Sequence, residues 1–220
     1  MADGTLVIGT RRYSSWSMRG WLAVRLAGLD VVEEVIPLEG NGATAAVRAR
    51  SPSGTVPYLE HRGHRVWESL AILEYCAEFS AAIWPADLAA RTQARVIATE
   101  MHGGFRDLRE AMPMNLGREL PGRTVPPGAR ADLIRIEQLW SETRLGFGEG
   151  GPYLFGAAFS GADAMYAPVV ARLITYRPEI APATRAYCAA VRAHPLVAAW
   201  YDAAAAEPAE WLLDKYEHPA

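Results

Sequence analysis

Residues 5–37 read TLVIGTRRYSSWSMRGWLAVRLAGLDVVEEVIP, and this stretch decides the fold. Thr5 to Gly9 is a short apolar run of the kind that makes a buried strand. The polar segment Thr10 to Ser15 follows it. From about Trp16 to Ala27 the pattern is helical, with Met18, Trp21, Leu22 and Leu26 on one broad face. Gly28 stands where a left-handed C-cap is expected, and Leu29 is placed to close it with an apolar contact. Val31 to Pro37 is a second apolar run, so the opening is β-α-β.

Outward from this unit, Ala43 to Ala49 is a weak helical turn in a soft region flanked by Gly40, Gly42 and Gly54. Val56 to Leu59 and Arg65 to Trp67 read as two strands joined by a turn at Gly63. Ser69 offers an N-cap to a helix carrying Ile72, Cys76 and Phe79 at helical spacing. The order up to residue 80 is β-α-β-(α)-β-β-α.

Strand signals then stop. Ala81 to Leu88 is a linker, followed by one long amphipathic helix in which Ile97, Met101, Phe105, Leu108 and Met112 repeat at spacings of three and four. Pro113 ends it, and residues 121–128, PGRTVPPG, are loop. A helix from about Ala129 to Leu145 is followed by Gly-rich GFGEGG. Ser160 to Asp163 is a capping box opening a helix to about Tyr176, and helices near 182–193 and 195–206 complete the pattern. The chain is an α/β first third joined to an all-α remainder.

Of the 220 residues 50% are hydrophobic, enough to bury a sizeable core, and the net charge is −3 with both signs dispersed. No basic block points to nucleic acid, and no apolar run reaches the length of a membrane span. The opening MADGTLVIGT lacks the charged and apolar regions of a secretory signal. Cys76 and Cys188 both sit in apolar helical patterns, as buried free thiols do in a reducing compartment, so a cytoplasmic location is expected. His61, His64, His102, His194 and His218 have no metal-ligand spacing, and no metal is expected.

Three motifs together resemble the glutathione S-transferases. Tyr13-Ser14-Ser15-Trp16-Ser17-Met18-Arg19 is similar to the serine-type active-site segment, particularly that of the zeta class. Gly54-Thr55-Val56-Pro57-Tyr58-Leu59, followed by Glu68-Ser69-Leu70-Ala71-Ile72, is similar to the V-P-x-L segment with its cis-proline. Phe159-Ser160-Gly161-Ala162-Asp163-Ala164 is similar to the capping box of the helical domain. The resemblance spans essentially the whole chain. It implies a thioredoxin-like glutathione-binding domain over residues 1–80, an all-helical domain over 87–220, glutathione as co-substrate, and a homodimer. The zeta pattern has cysteine where this chain has Trp16, a departure that bears on that class's isomerase activity.

In a thioredoxin-like fold the redox cysteine lies at the N-terminus of the first helix, where free N–H groups favour a thiolate. This chain has Ser14-Ser15-Trp16-Ser17 there, so the thiolate has to arrive on a ligand. Lowering a thiol pKa of about 8.5 by about two units takes roughly 2.7 kcal/mol. A helix terminus contributes about 0.3–1 kcal/mol, and a hydrogen bond to a charged group about 1.5–3 kcal/mol. Dipole plus one serine hydroxyl therefore reaches the requirement. Ser14 matches the catalytic serine of the zeta pattern, while counting back from Arg19 favours Ser15; one is expected to catalyse and the other to cap, and Ser14 is preferred as the catalytic one.

A cis Val56–Pro57 bond would turn the Val56 backbone toward a peptide ligand, like an added strand. The helix start at Glu68-Ser69 suits the γ-glutamyl carboxylate, with Glu68 meeting the ammonium group. Expected walls for a small, partly apolar electrophile are Arg12, Tyr13 and Trp16, with Met101, Phe105 and Met112 from the long helix. The functions these readings allow are conjugation of glutathione, a glutathione-dependent isomerase or lyase reaction, and a binding module with little turnover.

Overall fold

The computed structural model describes residues 2–42 and 44–218. β1 (Gly4–Gly9), α1 (Ser15–Ala27) and β2 (Val31–Ile36) form the β-α-β unit, with β1 and β2 parallel and Gly4 opposite Val31. The Gly28 C-cap takes φ +68 and its N–H reaches the carbonyls of Arg25 and Val24, as the sequence predicts. α2 (Ala45–Arg50) realises the weak helical turn; Ala43, expected to open it, lies outside the described residues. β3 (Tyr58–His61) and β4 (His64–Trp67) form a hairpin through Arg62 and Gly63, both at positive φ, the geometry that a two-residue hairpin turn demands. The sheet order is β2-β1-β3-β4, with β3 antiparallel to β1. β1 is thus central, and Leu6, Val7 and Ile8 are buried from solvent on both faces.

α3 (Ser69–Ala77) closes the sheet domain. Ser69 is its first helical residue and not its N-cap; that place belongs to Glu68, whose side chain makes no capping hydrogen bond. The rest is helical: α4 (Leu88–Gly103), α5 (Arg106–Ala111), α6 (Pro127–Phe147), α7 (Gly161–Tyr176), α8 (Pro182–Ala193), α9 (Pro195–Ala205), a 3-10 turn at Ala209–Trp211 and α10 (Asp214–Glu217). Past Trp67 the described residues contain no strand, only an isolated bridge between Tyr153 and Gly156. No helix among them is long and apolar enough to cross a membrane.

The single long helix expected from Ile97 to Met112 is two helices. Gly104 leaves α4 in extended conformation (φ −106) and Phe105 takes left-handed φ +57 before α5 begins. Two consecutive glycines, Gly103 and Gly104, make the break inexpensive. The apolar spacing runs on across it because Met101, Phe105, Leu108 and Met112 all point into one core.

α7 runs through the middle of that core, with every residue buried except Ile174. Its N-terminus is settled by Asp163, fully enclosed, which accepts from Ser160 N (2.9 Å), Ser160 Oγ (2.8 Å), Leu154 N (3.1 Å) and Tyr187 Oη (3.0 Å). The capping box read from the sequence is present. α7 also joins the helices to the sheet domain: Arg19 of α1, 1% exposed, donates from Nε to the Met165 carbonyl at 2.7 Å.

Asp163→Ala leaves several buried donors without an acceptor, at about 1–3 kcal/mol each. The expected loss is about 3 kcal/mol or more in a urea unfolding experiment, with Asp163→Asn milder because one oxygen is kept. A midpoint within error of wild type for Asp163→Ala would show that this network does not hold α7.

Candidate active site

The turn between β1 and α1 brings both serines to the helix N-terminus and gives them different tasks. Ser14 N donates to the Thr10 carbonyl at 2.9 Å, which folds the polar segment back on the strand end. Ser14 Oγ accepts from Ser17 N (3.2 Å) and donates to Ser17 Oγ (2.8 Å), which in turn accepts from Gly9 N (2.9 Å). Ser14, the serine preferred from the sequence as catalytic, is therefore the N-cap, with its hydroxyl proton committed inside the protein. Ser15 Oγ accepts from Arg172 Nη2 at 3.3 Å and donates to no group among the described residues.

Both serines line a cleft of about 1000 Å³ between the sheet domain and the helices. Val56, at the head of β3, forms part of its wall, and the Val56–Pro57 peptide is cis. Pro57 is seated on α1 at Gly20, where a Cβ would come within 2.7 Å of the proline ring. Ser69 is 1% exposed at the start of α3, and its Oγ has no hydrogen-bond partner among the described residues. Glu68 holds a strained φ of +67 beside it, with its exposed carboxylate 3.7 Å from His102 Nε2. Burial, reinforced by Arg19 and Arg109, lowers the His102 pKa despite Glu68, so at neutral pH the contact is no ion pair.

Of the expected electrophile walls, Tyr13 and Trp16 line the cleft. Met101, Phe105 and Met112 do not: they are 0%, 7% and 3% exposed within the helical core, where their spacing sends them. Arg12 is also absent from the cleft wall and lies against Gly117 and the end of α9. Pro57, next in sequence to Val56, is not on the cleft wall, and neither are Glu68 and Ser69.

The residues that replace them are mostly cationic. Arg106 and Arg109 of α5, Arg172 of α7 and Lys215 of α10 line the cleft together with Glu110. Arg106 is paired with Glu110 at 2.7 Å; Arg109, Arg172 and Lys215 pair with no carboxylate among the described residues. The Trp16 ring has the Arg19 guanidinium at 4.7 Å, that of Arg109 at 5.2 Å, and the edge of His102 at 5.2 Å. Burial is also what most lowers the Arg109 pKa. Sequence reading missed these arginines. A signal for Arg172 existed: it is the one cation in the apolar stretch GADAMYAPVVARLITY.

The C-terminal segment roofs the cleft. Tyr13 Oη donates to Glu217 Oε1 (2.6 Å) and accepts from Leu213 N (3.2 Å). Asn115 Nδ2 donates to the Tyr216 carbonyl (2.8 Å) and Glu217 Oε1 (2.9 Å). Burial, and then the Glu217 carboxylate, raise the Tyr13 pKa well above the ordinary phenol range, so this hydroxyl stays protonated and engaged. Of the two serines at the head of α1, Ser15 is the one whose hydroxyl proton has no acceptor among the described residues.

Comparison with known proteins agrees with this fold. Residues 13–78 match the family model "Glutathione S-transferase, N-terminal domain", and residues 126–203 match "Glutathione S-transferase, C-terminal domain". The chain is 26% identical to rat maleylacetoacetate isomerase over 83% of this chain and 84% of that one. It superposes on a glutathione transferase homolog from a Burkholderia with bound glutathione at TM-score 0.70, with 22% identity, 93% of this chain and all (100%) of the other covered. Maleylacetoacetate isomerase from Anaeromyxobacter dehalogenans, with glutathione in its active site, is 27% identical at TM-score 0.63, covering 91% and 96% of the two chains.

Because the Ser14 hydroxyl is spent on the helix end, Ser14→Ala is expected to lower unfolding free energy by about 1 kcal/mol. Urea denaturation followed by circular dichroism measures it, and an unchanged midpoint would deny the capping role.

Proposed function

Since the chain belongs to the glutathione S-transferase family, we propose that it directs the thiolate of glutathione at a small electrophile carrying negative charge. The observation that carries this reading is the Ser15 hydroxyl: it is on the cleft wall at the head of α1 and donates to nothing among the described residues, whereas Ser14 is consumed by the cap. Bound there, glutathione supplies a nucleophilic sulfur. The residues fit it. The unpartnered Ser69 Oγ and the N–H groups opening α3 suit the γ-glutamyl carboxylate, and Glu68 suits the ammonium group. Val56 offers main chain for strand-like pairing with the peptide. Ser15 donates to the thiolate and keeps its own proton.

The charge of the second substrate follows from the walls. Arg109, Arg172 and Lys215 face the cleft without a carboxylate partner among the described residues, so the small, partly apolar electrophile expected from the sequence is narrowed to one bearing a carboxylate. The same cationic wall supports a second reading, glutathione-dependent isomerisation of an unsaturated dicarboxylate, in line with the isomerases to which the chain is similar. Trp16 in place of the zeta cysteine speaks for conjugation. Mass spectrometry of the product separates the two: a conjugate gains the mass of glutathione, and an isomer gains none.

A cytoplasmic location is part of this proposal, and two unpaired buried thiols, Cys76 and Cys188, support it. A homodimer is proposed from the family and from the apolar side chains Leu88 (69% exposed) and Val96 (52%) left open together on α4. Light scattering at micromolar concentration is expected to give twice the chain mass; a monomer mass rejects this assembly.

Ser15→Ala is expected to raise the pKa of enzyme-bound glutathione by roughly one to two units, the equivalent of one hydrogen bond to a charged group. Ultraviolet thiolate absorbance against pH reads it, and no shift would remove Ser15 as the activating group. With the wild type, a carboxylate electrophile is expected to outpace its methyl ester by roughly tenfold in kcat/KM, about 1.4 kcal/mol. Equal rates would reject the anionic preference.

A further inference from the structure

Arg172 reaches the cleft from the middle of α7 and is 3% exposed. Its Nε donates to the Met112 carbonyl (2.8 Å), its Nη1 to the Pro168 carbonyl (3.0 Å) and its Nη2 to Ser15 Oγ (3.3 Å). The two carbonyls fix the plane of the guanidinium, and the third contact falls on the serine. A guanidinium has donors and no acceptor. The Ser15 oxygen must therefore accept on that side, and its own proton is turned away from Arg172.

We propose that Arg172 is the positioning residue of the thiolate site: it holds Ser15 as a donor toward the sulfur and sets an unneutralised positive charge behind that hydroxyl. The thiol proton leaves to solvent, Ser15 stays protonated, and the sulfur anion meets a hydroxyl proton already aimed at it. Without Arg172 the Ser15 hydroxyl is free to rotate, and part of its hydrogen-bonding is lost to other orientations. A buried cation lacking a counter-ion is costly, and an anion beside it recovers part of that cost, so the cation and the thiolate favour each other. Burial, followed by repulsion from Arg109, brings the Arg172 pKa down to about 10, which leaves it charged at neutral pH. The other charged groups around this point are Arg19 behind Trp16, Arg106, Arg109 and Glu110 on α5, and Lys215 on the roof. Among the described residues, Arg172 is the one charged group hydrogen-bonded to a serine side chain of the α1 N-terminus.

The inference rests on the Ser15 reading above, and one experiment separates the two. Full-length wild type, R172Q, R172K, S15A and the S15A/R172Q double variant are titrated with glutathione bound, thiolate absorbance being read against pH. R172Q is expected to raise the bound-thiol pKa by about one unit or more. R172K, which keeps the charge and loses the planar fork, is expected to fall between R172Q and wild type. The double variant is expected to shift less than the sum of the singles, because Arg172 acts through Ser15. If S15A raises the pKa while both Arg172 variants keep the wild-type value, the role of Arg172 is overturned and that of Ser15 stands. If S15A also keeps the wild-type value, both fall. Should R172Q not fold, R172K decides alone: a raised pKa supports the role, and an unchanged one overturns it.

Discussion

α7 has almost no contact with water, and a helix so enclosed must satisfy its end groups and its charges within the protein. Asp163 meets the first need at one end, and three acceptors meet the second at Arg172. The rest of the molecule is arranged around this rod. α1 is tied to it through Arg19 and Met165, Pro57 is seated on α1 at Gly20, and the sheet follows. The distance between the serine turn and the helical wall of the cleft is thus set by packing in the least deformable part of the protein. That rigidity is what a positioned hydroxyl needs, since a catalytic group is effective only while its geometry is held.

The electrostatics of the cleft come from the same arrangement. Arginines in a protein interior are normally matched by carboxylates, and this protein does so at Glu33, which meets both Arg11 and Arg25. Around Trp16 it does not: Arg19 and Arg109 flank the indole, Arg172 stands nearby, and no acid among the described residues pairs with them. Carbonyl oxygens take Arg19 Nε and two donors of Arg172, and the Trp16 ring lies against Arg19 and Arg109, while Arg19 Nη1 and Nη2 have no partner among the described residues. None of these contacts cancels charge, so the positive potential of Arg109 and Arg172 is left to act on the cleft they line.

Much of the fold was legible because it rests on local signals. The apolar run of β1, the glycine after α1 and the Ser160–Asp163 pair each announce a structure through residues at most a few positions apart. The break after α4 was hidden, since Phe105 and Leu108 keep helical spacing on either side of it and only the paired glycines hint at the interruption. The serines and the Val56–Pro57 segment were legible through family likeness. The helical wall was not, because Arg172 meets Ser15 across 157 positions and no periodicity relates them. Met101, Phe105 and Met112 were assigned to that wall when their apolar spacing was the ordinary signature of a core.

The roof over the cleft ties together segments that lie far apart in the sequence. Tyr13 and Glu217 share a hydrogen bond across 204 positions, and Asn115 braces both Tyr216 and Glu217 from the helical domain. α10 has no buried residue, so hydrogen bonds and not burial hold it over the serine turn. A segment held in this way opens at a lower cost than the packed floor beneath it. Substrate entry and product release thereby have a route that leaves the enclosed helix and the serines undisturbed.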